Sequence, residues 1–139
     1  MQPKILLRIA FLLVFLHNLG HTIAHIGWKS ATAPVQQTVI QTMLSHSFVF
    51  MGRTGSYARF FEGYGYAGTL ALLLVMALLW LCAADLTTLS KRLVLLLSIF
   101  LTCWGVMEWI YFFPMAAIMS FVSALFCAVA YGRWPAAVK

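Results

Sequence analysis

Charge is what this sequence has least of: Lys, Arg, Asp and Glu together make up 9% of its 139 residues, and the acidic share is three side chains, Glu62, Asp85 and Glu108. A soluble domain of this length could not bury a chain that is 63% hydrophobic, with a mean hydropathy of +0.94, so that class is excluded. The short alternating apolar segments of an outer-membrane barrel are also missing, because the apolar residues fall into long blocks. Cysteine is scarce: Cys82, Cys103 and Cys127 lie in or beside different apolar blocks, without a CxxC pair or zinc-finger spacing. They read as small packing residues and disclose no redox compartment. There is no HExxH motif, and the glycine-bearing stretch "FMGRTGSYARFFEGYGYAGTL" lacks the lysine and spacing of a phosphate loop. Nine basic residues leave a net charge of +6, yet they flank the apolar blocks instead of clustering on a soluble face. That placement excludes nucleic acid as a partner and points to membrane orientation and headgroup contact.

What is present is four apolar blocks, at about 5–27, 61–84, 93–113 and 115–132, each near the ~20 residues that cross a bilayer core as a helix. The fold class expected is all-α: a single transmembrane domain over 1–139, built as a four-helix integral membrane bundle. Pro114 separates the last two blocks, since it lacks a backbone donor and disfavours helix at the residue before it. Basic residues assign the sides. With the N terminus inside, the inner side collects Lys4, Arg8, Lys91, Arg92, Arg133 and Lys139, and the outer side Lys29, Arg53 and Arg59. Both termini are then cytoplasmic. A secretory signal is the competing reading of the N terminus, with "ATA" at 31–33 as the cleavage site. The polar "HNLGHTIAH" makes an overlong region before that cut, and Pro34 directly after it opposes processing.

The one long connection, about 28–59, is too long for a turn. Pro34 suits a first helical position, and Val39, Ile40, Met43 and Leu44 share a side against Gln37, Thr38, Gln41 and Thr42. A short interfacial helix is expected there, followed by a turn at Gly52 and Gly55 and an N-cap at Ser56, with Gly63, Gly65 and Gly68 suited to close helix contact.

The chemistry sits in the outer half of the blocks. His17, His21 and His25 are spaced four apart and so form one row on a helix, with Gly20 and Ala24 beside it as places where a neighbour's backbone can approach. Glu108 falls about a turn from the outer end of the third block, with Trp104 and Tyr111 on its face. Glu62 opens the second block with Arg59, Tyr66 and Thr69 on its face, and the fourth block brings Ser120, Ser123 and Cys127 as a small, weakly polar stripe. Intramembrane polar groups must find partners. These residues therefore predict a polar chamber near the outer leaflet. Glu108 can be a structural pair for a histidine, or a proton donor or acceptor beside one. Glu62 is expected to pair with Arg59 or a headgroup. The histidine row can hold the bundle in register, bind an organic ligand, or bind a metal or haem through His17, His21 and His25, with His46, Glu62 or Glu108 as the only further ligands.

"HNLGHT" in the first block together with "FFEGYGYAGTL" opening the second resembles a group of small bacterial membrane proteins of about four helices. That resemblance implies the fold and a bacterial inner (cytoplasmic) membrane, and it supplies no reaction. The leading functional expectation is a membrane protein binding a small apolar or amphipathic molecule, such as a lipid, quinone or isoprenoid. His17, His21, Glu62, Arg59, Tyr66 and Trp104 would line the site, and Glu108 with His21 would supply any acid/base chemistry. The rivals are a non-catalytic accessory subunit, docked on a membrane-protein partner or a second copy of the chain, and a metal or haem protein. No cofactor is specified by the residues.

Overall fold

The computed structural model describes residues 1–135; the expectation for Lys139 lies outside them. The helices in chain order are α1 (Pro3–Ile26), α2 (Pro34–Ser45), α3 (Tyr57–Ala84), α4 (Thr88–Tyr111) and α5 (Pro114–Gly132), with strands β1 (Ser47–Phe50) and β2 (Arg53–Ser56) between α2 and α3. Of these, α1, α3, α4 and α5 are long and apolar enough to cross a membrane. The protein is an all-α, multi-pass membrane protein with one small hairpin. Its chain divides into two compact units, residues 1–18 with 72–139, and residues 19–71.

The first unit is a four-helix bundle of the start of α1, the end of α3, α4 and α5. Its core is Leu6, Leu7, Ala10 and Val14 against Leu72, Val75, Leu79, Val94, Leu97, Leu101, Ala124, Cys127 and Ala130. Leucines on the opposite faces, among them Leu81, Leu96 and Leu125, stay exposed. In a helix that crosses a bilayer such faces meet acyl chains, so burial in the bundle is set by packing fit rather than by escape from water. Ser98 donates to the Ala124 carbonyl at 3.0 Å and so ties α4 to α5. Gly105 lets the Phe121 ring come within about 3 Å of where a Cβ would stand.

Helix ends depart from the apolar blocks for capping reasons. α4 begins at Thr88, not near 93, because Thr87 accepts from the Ser90 amide and caps the helix five residues before the apolar run starts. α3 begins at Tyr57, not 61, because the Ser56 hydroxyl accepts from the Arg59 amide at 3.3 Å, the expected N-cap. Only Phe112 and Phe113 separate α4 from α5, which opens on Pro114 at a first-turn position.

The second unit holds the end of α1, a 3-10 turn at Trp28–Ser30, α2, the hairpin and the start of α3. α2 starts on Pro34 as expected, but of its apolar side only Ile40 is buried; Val35, Val39 and Leu44 are exposed. The strands were not foreseen. β1 and β2 pair antiparallel from Ser47↔Ser56 to Phe50↔Arg53, so the loop is Met51 and Gly52 alone, both with positive φ, +50° and +77°. That is the backbone of a type I′ hairpin turn. Four-residue strands with a glycine in one arm give too little alternation to announce themselves in sequence.

Candidate functional site

The residues expected to line one chamber fall in two sets, one in each unit. In the first unit, α1 supplies His17, α4 supplies Trp104 and Glu108 one helical turn apart, and α5 supplies Ser120. His17 and Glu108 are each 6% exposed, and Ser120 is fully buried. Both carboxylate oxygens are engaged: Oε1 meets His17 Nε2 at 2.8 Å and accepts from Trp104 Nε1 at 2.8 Å, and Oε2 accepts from Ser120 Oγ at 2.6 Å.

Ser120 Oγ also lies 3.4 Å from His17 Nδ1. Three hydrogen-bonding partners around the carboxylate lower the cost of burying it in a hydrocarbon-facing bundle. Ser120 and Ser123 stand on the fourth block's small polar stripe, which was legible; that Ser120 in particular closes the ring was not. Asn18, 8% exposed, leaves its Oδ1 without a hydrogen-bond partner.

In the second unit the rest of the histidine row packs on the start of α3. His21 Nε2 donates to the Gly65 carbonyl at 3.0 Å, and Thr22 bonds Thr69 through their hydroxyls at 3.3 Å. His25 lies over Gly65, where a Cβ would collide with its ring, and a Cβ on Gly68 would come within 3.0 Å of His21 Nε2. Of the positions expected to allow close approach, Gly65 and Gly68 make it, while Gly20, Ala24 and Gly63 do not. Gly20 has open space, and Ala24 is exposed. The imidazoles are the bulky partners, so the small residues had to be on the facing helix.

Glu62 pairs with Lys29 at 2.5 Å rather than with Arg59, which is exposed and takes part here only through its backbone amide. The i, i−3 spacing favoured Arg59, whereas the turn after α1 carries Lys29 to the carboxylate. Around this pair lies a small cavity of about 170 Å³ lined by His25, Ile26, Trp28, Lys29, Glu62 and Tyr66. The Tyr66 ring stands edge-on to His25 at 4.8 Å, and Trp28 packs on Phe61 at 5.0 Å. His46 is exposed at the C-cap of α2. Among the described residues no three His, Cys, Asp or Glu side chains are grouped as a metal would require; of the three histidines, His17 answers Glu108, and His21 and His25 pack on glycines.

No family model matches this chain, and neither the comparison with curated proteins nor that with solved structures found a match.

Proposed function

We propose that this is a small multi-pass membrane protein that holds an amphipathic molecule by its polar end, in the cavity framed by His25, Trp28, Lys29, Glu62 and Tyr66. The observation that carries the reading is the pairing of an ammonium and a carboxylate at the mouth of an open, aromatic-walled cavity. Groups of both signs can receive a dipolar or charged headgroup, and Trp and Tyr suit the boundary between water and hydrocarbon. At about 170 Å³ the cavity is smaller than the ~300–1,000 Å³ that encloses a whole ligand. A headgroup fits; a quinone or isoprenoid body would lie outside it, along the helices. With the N terminus on the cytoplasmic side of a bacterial inner membrane, as the basic residues and the "HNLGHT" resemblance suggest, the cavity faces the periplasm.

Native mass spectrometry of the protein released from detergent tests this. A copurifying amphiphile is expected on the wild type and absent from Lys29→Ala/Glu62→Ala. An adduct that persists unchanged in the double variant, or a wild type without one, would overturn the reading.

A second reading is favoured by a different observation. Both Glu108 oxygens are already engaged inside the bundle by His17, Trp104 and Ser120, which supports a non-catalytic accessory protein in which these groups brace the bundle. In that case Glu108→Ala lowers stability or partner recovery and leaves ligand retention at the other cavity intact.

A further inference from the structure

A larger open groove lies on the first unit, at the bundle end where α4 starts and α5 finishes. Its volume is about 380 Å³, and it is lined by Thr88, Lys91, Arg92, Leu95, Leu96 and Tyr131. Five of these six follow the i, i+3, i+4, i+7, i+8 spacing of a single face of α4, with Tyr131 added from α5. Along that face polarity changes in order: a hydroxyl at the helix start, two cations one turn on, then two exposed leucines a turn beyond.

The cations have been left available. The ion pairs among the described residues are His17 with Glu108 and Lys29 with Glu62, so neither Lys91 nor Arg92 is neutralised by a carboxylate there. Lys91 Nζ is instead held 5.0 Å over the Tyr131 ring, an arrangement that orients the ammonium without cancelling its charge. The start of α4 adds the positive end of a helix dipole to the same place.

We infer that this groove is a binding site for an anionic glycerophospholipid, whose phosphodiester meets Lys91, Arg92 and Thr88 and whose acyl chain runs over Leu95 and Leu96. The order of polarity along α4 matches that of a lipid from phosphate to chain, about 12 Å from Thr88 to Leu96 at 1.5 Å per residue. A free phosphate would use the cations but have no need of the leucines. The tyrosine sets the depth of the headgroup at the membrane boundary.

The full chain in nanodiscs, with phosphatidylglycerol titrated into phosphatidylcholine, provides the test, read as lipid adducts by native mass spectrometry. Wild type is expected to retain phosphatidylglycerol selectively, and Lys91→Ala/Arg92→Ala to lose about 30-fold in apparent affinity. Lys4→Ala/Arg133→Ala removes the same number of charges from the same end of the bundle outside the groove, and is expected to keep the adduct. Equal loss in both double variants would make the effect general surface charge and overturn the site. Inorganic phosphate added in excess is expected not to displace the lipid; displacement would mean a phosphate site without a lipid role, which also overturns it. Retention of phosphatidylcholine as strongly as phosphatidylglycerol would remove the basis for the two cations.

Discussion

At the scale of single residues, the glycines at the start of α3 divide into those that are pressed and those that are not. Gly65 has no room for a Cβ because the His25 ring occupies its place; Gly68 has a tight 3.0 Å to His21, while Gly63 faces open space. Alanine at the three positions is therefore expected to give a graded series in thermal unfolding of the solubilised protein. Gly65→Ala should destabilise by about 1–3 kcal/mol through overpacking, Gly68→Ala by less, because the ring can shift a few tenths of an ångström. Gly63→Ala should be neutral or stabilising by up to about 1 kcal/mol, from helix propensity alone. A series in which Gly63→Ala is the worst would remove the account of how α1 and α3 meet. The histidine row itself was plain in the sequence, as was the need of Glu108 for a partner. Which histidine answered it was not, because spacing along one helix fixes a face but leaves open which neighbour that face meets at each depth. The same limit explains Lys29, whose ammonium reaches Glu62 only through the turn at residues 27–30, a path with no periodic signal.

At the scale of elements, the four long helices were legible from hydropathy, because their length is dictated by the bilayer and not by their neighbours. Their ends were not, since a cap such as Thr87 or Ser56 acts through one hydrogen bond and outweighs the apolar boundary by several residues. The hairpin was hidden for another reason. Gly52 marked a turn, but Met51, a residue with no preference for the left-handed region, precedes it at φ +50°, where Asn or Gly would have marked the two-residue hairpin loop. Met51→Asn is accordingly expected to stabilise the β1–β2 hairpin, by about 1 kcal/mol. Amide hydrogen exchange across residues 47–56 should slow in the variant. Unchanged or faster exchange would mean the turn has a different backbone. Such a test bears only on the second unit, whose exposed Val35, Val39, Leu44, Val49 and Phe50 suit a segment resting at a membrane surface more than one in open water.

For the molecule as a whole, the polar groups that hold the fold are distinct from those that line its surface cavities. In the first unit a carboxylate, an imidazole, a hydroxyl and an indole engage one another inside the bundle, while other charges lie at surfaces: Lys91 and Arg92, without a carboxylate partner among the described residues, in one groove, and the Lys29–Glu62 ion pair lining another cavity. A bundle of apolar helices in lipid gains little from hydrophobic contact between them, so such polar contacts and close packing decide how its helices pair. The most direct measurement is a double-mutant cycle on His17→Ala and Glu108→Ala, read as the global unfolding free energy in a defined detergent–lipid mixture. A buried, hydrogen-bonded pair predicts a coupling of about 1 kcal/mol or more, with the second substitution costing little once the first is made. Losses that add to within about 0.3 kcal/mol would mean that His17 and Glu108 act independently, and the buried brace would have no support.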